Sequence, residues 1–268
     1  RYALMADFAR AHRIGAIVAA HTADDVAETF LMRLARGSGI DGLAAMTAET
    51  TWDGVPLLRP LLGLSRAQLR AELDARGATW LEDASNAEER FERVRVRRAL
   101  DTLAGLGITR SRIVESAERL RRARNAIDAG AADFICVHAA VSPAGYVSLA
   151  AGALRELPEE VAIHALKRLL RAIGGQRRAP RLRKLEMLAA QLRAELEAAT
   201  TLGGCVIAPE GEKLLICREP GRLRAASLTL GSGETAIWDR RFRVTCGAIA
   251  RPLCIDALGE RNLAALTQ

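Results

Sequence analysis

Apolar positions in the first hundred residues switch between two periods. YALMADFARAHRIG (residues 2–15) reads as a helix, and IGAIVAA (residues 14–20) is a short run rich in branched residues. That run has the pattern of a strand covered on both faces in a parallel sheet. Thr22 stands three residues before Asp25, the spacing of a capping box at a helix start. Val26, Phe30 and Leu34, flanked by Ala27 and Leu31, then form an apolar stripe. Asp25 and Glu28, three apart, share the opposite polar face. Arg36-Gly37-Ser38-Gly39 closes this helix with two glycines where one suffices as a cap, and Asp41-Gly42 adds a further turn.

Further along, Ile113, Ala117, Leu120 and Ile127 keep helical spacing through an arginine-rich segment. PEEVAIHALKRLLRAIGG starts with Pro158, carries acids in its first turn and ends at Gly174-Gly175. Leu182, Leu185, Leu192 and Leu196 make another stripe. After Thr200 the period shortens. CVIAPEGEKLLICRE is two β-type runs around Glu210-Gly211, a hairpin signal, and AIWDRRFRVTC predicts a second strand pair.

Charge refines this outline. The net charge is +7, but residues 90–124 hold 11 Arg against 4 acids, and residues 164–184 hold 8 Lys plus Arg and no acid. Residues 1–89 are acidic by four charges. Two basic blocks flanking acidic ones predict contacts with a polyanion such as RNA, although arginine on a helix surface is also an ordinary solvated face. Aromatics are only 4% of residues, so recognition by phosphate and shape is expected over base stacking. The five cysteines contain no C-x-x-C pair, which argues against a zinc site or a disulfide framework and suits a reducing compartment. Each is expected to act as a small buried hydrophobe. No apolar run is long enough for a membrane span.

His21, Asp24, Asp25 and Glu28 fall where a strand ends and a helix begins, the edge at which open α/β sheets bind ligands. Acids at a helix N-terminus are also favoured by the helix dipole without any function. The continuation decides between these. HTADDVAETFLMRLARGSGIDGLAAM (residues 21–46) resembles the second signature segment of the tRNA(Ile)-lysidine synthetases, ATP pyrophosphatases of the PP-loop superfamily. RPLLGLSRAQLRAELDARGATWLEDASNAEERFERVRVRRAL (residues 59–100) resembles that family's RPLL, SR, W.EDxSN and RNxIR stretch. A weaker likeness covers residues 201–219 and 237–244.

The resemblance implies an α/β fold: a partial parallel-sheet PP-loop ATPase domain over residues 1–100, a helical tRNA- and substrate-binding region over 101–200, and a small β-rich module over 201–268. It implies a cytoplasmic ligase that uses ATP and Mg²⁺ to join free L-lysine to C2 of a cytosine in the anticodon loop of an isoleucine tRNA, and leaves room for a homodimer. Asp25 and Glu28 would orient the lysine amine, with Mg²⁺ binding as the rival role for Asp25. His21 would touch nucleotide or substrate. Arg36, Gly37 and Gly39 would meet phosphate or substrate, as would Arg93, Arg95, Asp83 and Asn86. Val94 departs from the pattern, standing where the family has Asn. The family's SGGxDS phosphate loop does not occur in the sequence. The expectation is therefore an N-terminally truncated piece, lacking roughly 100 residues and not catalysing alone. Two rivals stand beside this reading: another PP-loop enzyme such as a tRNA thiolase, and a noncatalytic RNA-binding fragment.

Overall fold

The computed structural model describes residues 2–44, 46–81, 90–176, 179–220, 227–239, 241–248 and 251–256. The chain divides into two compact units, residues 1–126 and 127–268.

In the first unit, α1 (Tyr2–Ala11), β1 (Ile17–Val18), α2 (Ala23–Leu34), α3 (Ile40–Leu43), β2 (Glu49–Trp52), β3 (Val55–Leu58), α4 (Arg66–Ala75) and α5 (Glu92–Ala104) follow in order. The helix α6 (Arg110–His138) begins here, and the division between units falls within it. The sheet has the order β1-β3-β2, with β1 parallel to β3 and β2 antiparallel to β3. It is therefore mixed, not purely parallel. The β2–β3 hairpin turns at Asp53-Gly54, both with positive φ (47° and 82°), the geometry for which Asp-Gly is selected. The expected double cover of β1 is not found: Ile17 is buried, but Val18 is 63% exposed. Ala6 and Ala9 of α1, whose small side chains allow close approach, pack with Ile17, Val55 and Leu57. A second cluster, Ala27, Leu100 and Ile113, joins α2, α5 and α6, and this packing sets α5 against the start of α2.

The second unit continues with β4 (Ala139–Val141), β5 (Val147–Ala150), α7 (Ala151–Glu156), α8 (Glu159–Gly174), α9 (Leu182–Arg193), β6 (Thr200–Leu202), β7 (Cys205–Glu210) and β8 (Lys213–Arg218). The shorter β9 (Leu228–Leu230), β10 (Thr235–Trp238), β11 (Phe242–Thr245) and β12 (Leu253–Ile255) follow. Its main sheet is antiparallel, in the order β4-β5-β8-β7-β6, so strands from both sides of residue 200 share one sheet. The β4–β5 hairpin lies in the stretch expected to be helical. Its strands are three and four residues long, too short to register as alternation. The buried face of α8 (Leu166, Leu169, Leu170) meets Leu149, Ile207 and Ile216 of the sheet. Gly175, with φ 59°, caps α8 in the left-handed conformation.

Of the cysteines, Cys205 and Cys246 are buried as expected, whereas Cys136 and Cys254 are exposed. The Cys205 thiol donates to the Leu170 carbonyl at 3.6 Å, and burial pushes its pKa up to about 12. No helix among the described residues is long and apolar enough to cross a membrane.

Two predictions test this packing. Leu166→Ala, at a fully buried position, should lower unfolding free energy by about 2–5 kcal/mol in a urea titration. A Cβ at Gly174 would run into the Gly203 carbonyl oxygen, whereas one at Gly152 in α7 meets open space. Gly174→Ala should therefore cost about 1–3 kcal/mol, and Gly152→Ala should gain about 0.5 kcal/mol.

Candidate active site

The start of α2 is where the first unit concentrates its charge. Thr22 is the N-cap, and Asp25 accepts both its backbone N–H and its hydroxyl on one carboxylate oxygen, at 2.9 Å each. This is the expected link between positions three apart. The acids do not lie on an open polar face, however. Asp25 is 8% exposed and Glu28 only 1%, because arginines from three other helices cover them.

Arg66, the first residue of α4, makes three of these contacts. Its guanidinium donates to Asp25 Oδ1 and to Glu28 Oε1, each at 2.9 Å, and its backbone N–H donates to Asp24 Oδ2 at 2.8 Å. Ser65 and Gln68 form a reciprocal cap that fixes the start of α4 beneath this contact. Arg97 of α5 donates through Nε to Glu28 Oε1 at 2.6 Å. Arg93, one turn earlier on α5, stands 4.0 Å from Asp25 and is 46% exposed. Arg110 of α6 stands 3.3 Å from Asp24. Three carboxylates thus meet four guanidiniums. Burial pushes the Asp25 pKa upward, but the Thr22 N–H and the Arg66 charge outweigh it and hold this carboxyl below its usual range. Burial likewise lowers the Arg66 pKa, but Glu28, Asp25 and Asp24 outweigh it and raise the net value.

These contacts correct several expectations. Asp25 is not built as a Mg²⁺ ligand: both its oxygens are engaged, and no group of three potential ligand residues suited to a metal occurs among the described residues. Arg95 turns back to the Arg90 carbonyl at 3.2 Å, so the helix faces of Arg93 and Arg97, four apart, carry the site. Val94 is buried as part of the protein core. Arg36 pairs with Glu92 at the surface. The two glycines after α2 serve two helices: Gly37, with φ 63°, ends α2, and Gly39 is the N-cap of α3. His21 lies 3.4 Å from the Tyr2 hydroxyl. Asp83, Ser85 and Asn86 fall outside the described residues. Sequence reasoning missed Arg66, Arg97 and Arg110, although the Ser65-x-x-Gln68 spacing marks a helix start at Arg66.

In the second unit, Gln176, Arg181 and Lys184 line an open groove beside the Gly203-Gly204 turn. These two cations belong to the second basic block.

Comparison with known proteins places this geometry in a family. Residues 1–103 match the model of the PP-loop domain. The tRNA(Ile)-lysidine synthase of Ruegeria pomeroyi is 39% identical over 267 residues, 98% of this chain and 61% of the relative. That of Wolbachia pipientis wMel is 33% identical over 262 residues, 94% of this chain and 60% of the relative. That of a Methylobacterium species is 41% identical over 232 residues, 84% of this chain and 67% of the relative. The chain spans about three fifths of the length of the first two of these curated relatives. With likeness at this level along nearly its whole length, the chain belongs to the tRNA(Ile)-lysidine synthase family.

Proposed function

We propose that the protein carrying this chain modifies tRNA, joining lysine to C2 of the anticodon-loop cytosine of an isoleucine tRNA through an adenylylated intermediate. ATP supplies the adenylyl group that makes the C2 oxygen a leaving group. An amino group of lysine then attacks C2, the C2–O bond breaks and AMP departs. The observation that carries this reading is the carboxylate–guanidinium cluster at the start of α2, in a chain that matches tRNA(Ile)-lysidine synthases over 98% of its length.

The cluster gives its residues different work from that first expected. Asp24, Asp25 and Glu28 hold arginines in place, so their first task is to orient cations. Arg93, half exposed and only loosely tied to Asp25, is the cation best suited to meet nucleotide phosphate. Glu28 Oε2 is buried with no hydrogen-bond partner among the described residues, an acceptor suited to an N–H of the attacking amine. Arg181 and Lys184 of the second unit suit the sugar–phosphate backbone of a structured RNA. Their groove contains no aromatic ring among the described residues, in keeping with recognition by charge and shape.

The test uses the product of the complete reading frame that contains this chain. With ATP, radiolabelled lysine and isoleucine tRNA, label should enter the tRNA, and omission of ATP should abolish it. No incorporation under these conditions overturns the ligase reading. Glu28→Gln should slow incorporation about 100-fold by releasing Arg66 and Arg97 from their positions. The same change should lower unfolding free energy by about 3 kcal/mol, since it leaves buried charge uncompensated.

A further inference from the structure

Asp25 and Glu28 are engaged by guanidiniums, so the zwitterionic end of an amino acid needs another receptor. A cavity of about 280 Å³ lies in the first unit, beyond the carboxyl end of β3. Its volume is near the lower limit of small-molecule sites (roughly 300–1,000 Å³), the size for an amino acid more than for a nucleotide. Val26 of α2 forms part of its wall, with Met46 and Val114. Val26 directly follows Asp25, so their Cα atoms are about 3.8 Å apart while their side chains diverge by about 100° around the helix. The cavity and the ion cluster therefore flank one helical turn.

Its charged lining is Arg59, Arg121 and Glu118. Arg59 follows β3 and is anchored by donating to the Thr47 carbonyl at 2.9 Å. Its Nε is buried with no hydrogen-bond partner among the described residues, an unmet donor that costs about 1–3 kcal/mol unless an acceptor arrives. Glu118 and Arg121 are three apart on α6. Two cations and one anion around apolar walls are complementary to a carboxylate, an ammonium and a hydrocarbon stem. A phosphate would be repelled by Glu118, and no aromatic ring lines the cavity among the described residues to stack on a base.

We propose that this cavity seats the α-carboxylate and α-ammonium of the amino-acid substrate, Arg59 and Arg121 taking the carboxylate and Glu118 the ammonium. Val26, Met46 and Val114 enclose the aliphatic stem. The assignment rests on the ligase reading for one point, that an amino acid is a substrate.

The test is calorimetric titration of this chain with L-lysine, L-norleucine and cadaverine. The two amino acids should bind in the millimolar range or tighter, and cadaverine, which lacks the carboxylate, at least about 10-fold more weakly. Arg121→Gln and Glu118→Gln, at positions with no ion-pair partner among the described residues, should each weaken L-lysine about 10-fold with an unchanged melting temperature. Arg59→Gln should weaken it at least as much. Unchanged L-lysine affinity in the Arg121 and Glu118 variants overturns the proposal, as does the absence of L-lysine binding by the parent chain. The incorporation assay separates the two readings. Incorporation whose lysine KM ignores Arg121→Gln removes the seat and leaves the ligase. L-lysine binding that responds to both variants, without incorporation, leaves the seat and removes the ligase.

Discussion

One guanidinium shared between two carboxylates holds the functional part of the first unit together. Glu28 is almost wholly out of water, and an uncompensated carboxylate there would be intolerable. Breaking a buried pair of this kind costs about 3–5 kcal/mol, against a total stability of about 5–15 kcal/mol for an ordinary domain. Arg66 therefore does more than decorate the site. Through its side chain and its backbone N–H it ties the first turn of α4 to the first turn of α2, and Arg97 ties α5 to the same carboxylate. A lysine could not replace it, because a single ammonium lacks the planar fork that reaches two acids at once.

The same cluster separates the two basic blocks. Arg93, Arg97 and Arg110 of the first block point their charge inward to acids from the acidic N-terminal stretch, so their contribution to an external field is largely cancelled. Arg181 and Lys184 of the second block border an open groove instead. Blocks that look alike by charge count thus have different physical duties, one internal to a site and one available to a polyanion.

Much of this was legible in the sequence, and the misses share a cause. The Thr22–Asp25 cap, the helical stripe of α2, the Gly175 cap and the Glu210-Gly211 hairpin all depend on neighbours within a few residues. The burial of Glu28 depends on Arg66 and Arg97, which lie 38 and 69 residues away. No local pattern can report that, so Asp25 and Glu28 read as acids on a solvated face awaiting a substrate. Arg93 and Arg95 likewise looked equivalent until the orientation of α5 was known. The Asp53-Gly54 hairpin was different: its signal was local and present, but it was overshadowed by the longer parallel-sheet pattern before it.

Cys205 gives the second unit an internal clock. Its sulfur sits beneath the end of α8, against a carbonyl of that helix, and a thiol held near pKa 12 is almost entirely in its unreactive protonated form at neutral pH. Alkylation of this residue must wait until α8 lifts from the sheet and the thiol regains an ordinary acidity. Cys136 and Cys254, already at the surface, mark time zero on the same molecule. The unmodified protein thus contains both the reference and the reporter needed to follow its own opening.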